Sequence, residues 1–440
     1  MKKWLVTALA LMLAFGILSA CGSANNEEKT NESNGSKNAA EDAAKDVTLN
    51  VMHFMIEKPK VEAFEKMTEA FSAKHPNIKF NIEIVASDKY NDALKMKIAG
   101  GDVPDIMFGR PNTMIDFLES GVFMDITDES FAQKINKTYI PNVSYKERVY
   151  GLPLDLMTNG VIYNKDLFEQ AGVAVPMTWT EFVAACEQLK AKGITPFAGA
   201  FQQGVSYISY LYPDIFGSTL KRNPSFPAQL ISGEKKWTDL QDIRGLLDRV
   251  STMMPYLNED YRDIDYEKSL QYFATGKAAM TVIGSFAIGT IRQYNPEGNF
   301  GVFTFPAYDN AEDNVMTHGT DNTFLPAANS KNKEEMLQFF EFMASEEGGQ
   351  IWADGVQTIS ALNPDLKPAT QDSMAADFQK LYQTGKIINN GAEPTFYAQW
   401  DEITWRLLGQ YMMQKNPADR KPDEVLNNLD KEFEKARKMG

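Results

Sequence analysis

The sequence predicts an α/β fold that is divided into two lobes. Segments with the period-2 alternation of a β-strand take turns with segments of helical spacing along most of the chain, which is typical of βαβ units with parallel sheet. About 390 residues follow residue 46, more than the ~250–300 residues that one hydrophobic core usually supports. Beyond residue 21 the only cysteine is Cys186, so a large core rather than an internal disulfide must stabilise the folded part.

The first elements follow from the pattern of apolar residues. Residues 78–84 alternate apolar and polar side chains strictly, which indicates a strand, whereas residues 61–71 carry apolar side chains at helical spacing. The predicted order is strand 47–54, helix 61–71, strand 78–84, helix 89–99 (ended by Gly100 and Gly101) and strand 105–108.

Capping signals indicate where helices of the second half begin. Thr178 and Glu181 have the spacing of a capping box, and Thr238 with Gln241 predicts a second helix start. Cys186 lies on the apolar face of the helix that begins at Thr178, so we expect it to be a small core residue rather than a nucleophile. The other predicted elements are strands at 160–164, 278–283, 300–305 and 324–327, and a last helix that begins at Pro422.

The N-terminal region predicts export and lipid anchoring. Two lysines precede an apolar run at residues 4–17, which is shorter than the ~20 residues of a membrane span and has the pattern of a signal peptide. Leu18–Cys21 resembles the lipobox of bacterial lipoproteins, in which the cysteine thiol is diacylated. We therefore expect a lipoprotein signal peptide at residues 1–21, a disordered tether at 22–46, and a lipid anchor on Cys21 at the extracytoplasmic face of the cell membrane.

Charge and motif content exclude several classes of protein. The net charge of −15 and the pI of about 4.9 argue against nucleic-acid binding, which needs a basic surface. The sequence contains no metal-ligand spacing, phosphate-binding loop, dinucleotide fingerprint or nucleophile elbow, so we expect neither a metal nor another cofactor. The three histidines (His53, His75 and His318) have no evident catalytic partner, and close carboxylate pairs arise by chance among 59 acidic residues. Nothing in the sequence positively supports catalysis, so an enzyme is not expected.

Four segments of the chain resemble motifs of one family, the family 1 extracellular solute-binding proteins, which are the sugar-binding subunits of bacterial ABC importers. The similar segments are Gly101–Ile106, Gly151–Asp155 followed by Val161–Phe168, Phe273–Phe286, and Asn329–Phe342. The resemblance implies a two-lobed fold like that of the class II periplasmic binding proteins, with the ligand in a cleft between lobes. It also implies hinge closure, delivery of a carbohydrate to the permease, and a monomer.

The resemblance places the lobes and the crossings between them. It implies a first lobe formed by residues 47–154 and 306–361 and a second lobe formed by residues 155–305 and 362–440. The chain would cross near Asp155, Phe305 and Leu362.

Seven residues are candidate ligand contacts by this resemblance. Polar side chains would bond sugar hydroxyls, and aromatic rings would stack on the apolar face of a pyranose; the candidates are Arg110, Asn112, Asp155, Phe286, Trp400, Asp321 and His53. Each has a plainer interpretation. Trp400 is in register with Ile403, Leu407 and Tyr411 and fits a core helix face equally well. Arg110 would pair with a surface acid, and Asp155 would cap a turn. Phe286 stands where the family usually has tryptophan, which is compatible with a smaller or less polar ligand.

Other functions remain open from the sequence. One alternative is that the same scaffold binds a solute other than a sugar. Another is that it acts as a ligand sensor for a membrane kinase. A secreted enzyme that acts on polysaccharides is a third alternative, and it predicts turnover of the sugar instead of its recovery intact.

Overall fold

Two β-sheets of mixed direction organise the chain. The computed structural model describes residues 45–202, 216–389 and 394–439, with side chains for all of these except 88, 394–402, 405, 417 and 439. The expected signal peptide, Cys21 and nearly all of the expected tether lie outside the described residues. Within the described part, none of the helices combines the length and hydrophobicity that a membrane crossing requires.

The strands fall into two large sheets and one small hairpin. They are β1 (Val47–His53), β2 (Ile78–Ile84), β3 (Ile106–Phe108), β4 (Ser144–Tyr145), β5 (Arg148–Val149), β6 (Leu152–Pro153), β7 (Asp155–Asn164), β8 (Thr195–Phe197), β9 (Ala278–Gly284), β10 (Phe300–Phe303), β11 (Met316–Thr320), β12 (Thr323–Pro326), β13 (Ile359–Ser360) and β14 (Ile387–Asn389). The first sheet has the order β2-β1-β3-β12-β6, in which β1, β2 and β3 are parallel and β12 is antiparallel to β3 and β6.

The second sheet is built around the long strand β7. Its order is β14-β11-β7-β9-β8, and β10 and β13 also pair with β7. All four strands that pair with β7 run antiparallel to it, whereas β8 and β9 are parallel, as are β11 and β14. The predicted α/β class is confirmed, although the βαβ pattern correctly predicted parallel pairing only for part of each sheet.

Helices cover both sheets. They are α1 (Lys58–Lys74), α2 (Ser87–Gly100), α3 (Ile115–Glu119), α4 (Lys165–Ala171), α5 (Trp179–Ala191), α6 (described at residues 216–222), α7 (Phe226–Ser232), α8 (Gln241–Met253), α9 (Tyr266–Ala274), α10 (Ile288–Tyr294), α11 (Lys333–Met343), α12 (Glu346–Val356), α13 (Ser373–Gln383), α14 (Pro394–Met413) and α15 (Pro422–Met439). Short 3₁₀ turns connect several of them.

Each sheet has its own hydrophobic core. Leu49, Phe64 and Phe324 belong to the core of the first sheet. The two faces of the second sheet bury separate clusters, and the neighbouring residues Val161 and Ile162 of β7 point into different ones, as the alternation of side chains along a strand requires. We call the body around the first sheet the first lobe and the body around the second sheet the second lobe.

Within the described residues the chain passes between the sheets at three places. The first passage separates β6 from β7, the second separates β11 from β12, and the third lies between α12, which packs on α1, and β13, which pairs with β7. The predicted crossing near Phe305 is therefore wrong. Phe305 packs in the same core as Val161, and β11 continues the second sheet, so the chain leaves the second lobe only after Thr320. The predicted segment 306–361 thus begins too early, because β11 is a strand of polar and small residues that its sequence did not reveal.

Local signals account for several helix ends. The predicted capping box is confirmed: the Thr178 hydroxyl accepts from the backbone N–H of Glu181 at 3.2 Å, and the Glu181 carboxylate accepts from that of Thr178 at 3.1 Å. The predicted cap at Thr238 is wrong, because its hydroxyl donates instead to Asp430 at 2.8 Å and α8 begins without a side-chain cap. Cys186 is buried in the core as expected, and burial raises the pKa of its thiol.

Candidate functional site

Asp155 joins the three passages between the lobes. Its Oδ1 atom accepts hydrogen bonds from the backbone N–H and the side-chain amide of Asn322, each at 2.9 Å. Its Oδ2 atom accepts from the same amide at 3.0 Å and from the Thr358 hydroxyl at 2.6 Å. Asp155 begins β7, Asn322 lies between β11 and β12, and Thr358 precedes β13. One fully buried carboxylate thus holds all three segments together.

These contacts change what Asp155 can do. Each of its oxygens already accepts two hydrogen bonds from the protein, which fills the lone pairs that a carboxylate oxygen offers. In this arrangement Asp155 is a tie between hinge segments rather than a free acceptor for a sugar hydroxyl. Burial, followed by the charge of Asp321, raises the pKa of Asp155, and the nearby Lys60 ammonium opposes that rise.

Lys60 lies buried at the junction of the lobes. It is in the first turn of α1, and its Nζ atom lies 3.2 Å from Asp321 Oδ2 and 3.7 Å from Glu57 Oε1. The same atom lies 5.4 Å from the centroid of the Phe286 ring. Burial alone would lower the pKa of Lys60, but the charges of Asp321, Glu57 and Asp155 raise it above its usual value. Lys60 is therefore charged at neutral pH, and it brings two of the predicted site residues, Asp321 and Phe286, together.

Phe286 lies in the 3₁₀ turn Ser285–Ala287 between β9 and α10. Its ring folds back over Gly284, where an added Cβ atom would lie 2.3 Å from a ring carbon. Only glycine at 284 therefore leaves the ring in this position. The ring packs with the core below α10 and remains 9% exposed, so most of its surface is already covered by protein.

Asn112 and Arg110 lie in the loop that follows β3. Asn112 is in a 3₁₀ turn and is only 3% exposed. Its Oδ1 atom has no hydrogen-bond partner among the described residues, and an unmatched buried acceptor costs about 1–3 kcal/mol. Arg110 is half-buried. The parallel strands β1 and β3 end at the same edge of the first sheet, so this loop and the start of α1 lie on the same side of the first lobe.

His53 ends β1 and is enclosed by aromatic rings. It is 1% exposed, and its ring meets Phe64 and Phe108 edge to face. Its Nδ1 atom accepts from the backbone N–H of Met55 at 3.2 Å. Burial lowers the pKa of His53 to about 4, so the ring is neutral at pH 7, and the structure uses it as a buried support for this edge of the sheet.

Trp400 lies within α14, but its side chain is outside the described residues. The residues in register with it, Ile403, Leu407 and Tyr411, are buried in the core of the second lobe. The two interpretations of Trp400, as a stacking platform for the sugar and as a core residue, therefore both remain predictions.

Sequence reasoning missed Lys60, Asn322 and Thr358. A signal for Lys60 was present: it falls in register with Phe64, Met67 and Phe71, which form the buried face of α1, and a lysine on such a face needs charged partners. Asn322 and Thr358 carried no comparable signal, because their contacts with Asp155 join residues far apart in the sequence. Among the described residues, no cluster of histidine, cysteine and acidic side chains could hold a metal ion.

Two α/β lobes that meet where the chain crosses three times, with polar and aromatic side chains at their junction, define a hinged binding protein. The chain belongs to the bacterial extracellular solute-binding protein family, whose model matches residues 57–350. Its members work outside the cytoplasm and bind solutes.

Individual relatives agree with this assignment. The chain is 27% identical to the multiple sugar-binding protein of Streptococcus mutans over 80% of its own length and 81% of that protein. It is 23% identical to the melibiose/raffinose/stachyose-binding protein MelE of Bacillus subtilis over 100% of its own length and 98% of that protein. Among solved structures, it is similar to the solute-binding protein RafE in complex with raffinose, with a TM-score of 0.75 and 23% identity, covering 89% of this chain and 100% of that one. The two-lobed binding-protein fold expected from the sequence is thereby confirmed.

Proposed function

We propose that this protein captures an oligosaccharide between its two lobes and delivers it to the permease of an ABC importer. Its membership of a solute-binding family and the sugars in its relatives' names support this proposal. The observation that carries it is chemical: the buried amide oxygen of Asn112, in the loop after β3, has no hydrogen-bond partner among the described residues, and Phe286 at the junction of the lobes is 9% exposed. Sugars offer hydroxyl donors beside apolar C–H faces, which match these two groups.

The predicted residues divide into two roles under this proposal. Asn112 and Phe286 contact the sugar, and Arg110, Asp321 and Trp400 are further candidates for its rim. Asp155 and His53 support the site without touching the sugar, because both Asp155 oxygens and the His53 Nδ1 atom accept hydrogen bonds from the protein and both residues are buried. Closure around the sugar would then present a form that the permease distinguishes from the open one.

The anchor is part of the proposal. Cys21 would carry two acyl chains, which are enough for stable attachment to the membrane where a single chain is marginal. The protein would work there as a monomer at the end of its tether. Labelling with radioactive palmitate should mark the intact protein, whereas the Cys21→Ala variant should remain unlabelled and should not be anchored by lipid.

A thermal-shift screen tests the sugar assignment. The body comprising residues 22–440 would be melted with raffinose, stachyose and melibiose, and with amino acids, polyamines and peptides as competing classes. A ligand of the folded state at a hundredfold its Kd adds about 2.7 kcal/mol, which is about 3 °C for a body of this size. A shift with one of the sugars, and recovery of that sugar intact, supports the proposal.

Variants then test the site. Phe286→Ala and Asn112→Ala should each weaken sugar binding about tenfold in a calorimetric titration, because each removes one contact that water does not replace. Asp365→Ala, at an exposed position, is the matched control and should bind normally. A shift with another solute class alone would keep the fold and refute the carbohydrate assignment.

A further inference from the structure

The start of α1 in the first lobe contacts α10 in the second lobe. An added Cβ atom at Gly289, near the start of α10, would lie 2.3 Å from Cγ of Pro59 and 3.0 Å from its Cβ. The proline ring cannot swing away as the end of a flexible side chain would. Pro59 and Gly289 belong to different lobes, so this contact is formed only when the lobes are together.

Lys60 adds a charged contact at the same place. Its ammonium reaches Asp321 at the second passage and lies against the Phe286 ring of the second lobe, while Glu57, the residue before α1, flanks it. A buried cation is stable only while such partners surround it. Separating the lobes would remove the Phe286 ring and admit water to the ammonium, so the interaction differs between the closed and open arrangements.

We infer that Lys60 is an interlobe tie that stabilises the closed arrangement independently of any ligand. A ligand shifts an equilibrium only by its different affinity for the two states. A tie within the protein sets the ratio of closed to open protein in the absence of ligand. A higher closed fraction raises the apparent affinity for the sugar, because less binding energy is needed to close the lobes. These contacts lie within the protein, so the tie does not depend on which solute the protein binds.

Replacing Lys60 by methionine tests the tie. Lys60→Met keeps the length of the side chain but leaves Glu57, Asp321 and Asp155 close together without a cation. Their repulsion and the loss of the cation–ring contact should shift the closed-to-open ratio toward the open form by about tenfold. Lys58→Met is the matched control, because it removes the same charge from the same turn of the helix. Lys58 is exposed, and among the described residues it forms an ion pair with Glu62 at 3.4 Å.

The measurement is the distance between the lobes without sugar. Exposed Lys79 on β2 and exposed Lys192 after α5 would be replaced by cysteines for spin labels in residues 22–440, where buried Cys186 does not compete for label. Residues 45–440 form a compact unit of their own. The parent protein should show a population at the separation that the two labelled positions have when Lys60 contacts Phe286, here called the short distance; Lys60→Met should lose most of this population, while Lys58→Met keeps it.

Gly289→Ala provides a second route to the same contact. Its added methyl group should push the lobes apart without changing any charge, and it should also deplete the short-distance population. Loss of that population in Gly289→Ala but not in Lys60→Met would refute the tie, as would a parent protein without the short distance. Because no sugar is present, failure of the carbohydrate proposal would leave these results interpretable.

Discussion

Replacing Asp155 by alanine would remove the carboxylate that joins the three passages between the lobes. The substitution leaves two buried donor groups, the backbone N–H of Asn322 and the hydroxyl of Thr358, without their acceptor, and the Asn322 amide keeps only its bond to Asp321 Oδ2 at 3.2 Å. It also takes one negative charge from the surroundings of buried Lys60. Breaking a buried hydrogen-bonded charge in this way costs about 3–5 kcal/mol.

That cost can be converted into a change in melting temperature. The unfolding entropy of a body of about 390 residues is about 0.8 kcal/mol/K, so Asp155→Ala should lower Tm by about 4–6 °C. Calorimetry at pH 7 without sugar measures the stability of the hinge apart from any ligand contact. Asp365→Ala, which removes an exposed carboxylate, should stay within about 1 °C of the parent protein. An Asp155→Ala variant that melts with the control would refute the assignment of Asp155 as the tie between hinge segments.

Two further predictions concern the aromatic platform and pH. Gly284→Ala should weaken sugar binding about as much as Phe286→Ala, because the new Cβ atom occupies the place of the ring; unchanged binding by calorimetry would contradict this. Burial lowers the pKa of His318 to about 4 from an ordinary value of 6.5, so below pH 6.5 the unfolded state binds the proton more readily than the folded state. His318 therefore contributes up to about 3 kcal/mol that is present above pH 6.5 and is lost as the pH falls to 4. Tm should fall less steeply over that range in His318→Gln than in the parent protein, and parallel curves would contradict the prediction.

The first sheet could be predicted from the sequence because one side of each early element faces its core. The alternation in residues 78–84 predicted the bounds of β2 correctly, and the helical spacing of residues 61–71 predicted α1, which extends three residues further at each end. The strands at the junction behaved differently. β7 begins at Asp155 rather than at residue 160, and β11 contains Thr317, His318 and Thr320, all of which are buried. Hydrophobic patterning cannot reveal a strand whose buried residues are polar.

The candidate site shows the same division. Asp155 and Phe286 were reached through a resemblance of local motifs, and both lie at the junction of the lobes. The roles of their partners arise from tertiary contacts: Thr358 is 203 positions from Asp155, and Asp321 is 261 positions from Lys60. One sequence without its relatives does not report such pairs. The sugar contacts expected of Arg110, Asn112, Phe286, Asp321 and Trp400 remain predictions.

A crystal structure with the oligosaccharide that the screen identifies would show directly whether the sugar lies between the lobes. We expect a sugar ring against Phe286 and a hydroxyl that donates to Asn112 Oδ1, with the two lobes closed around an intact molecule. A ligand bound elsewhere on the protein, or a sugar cleaved in the site, would contradict it.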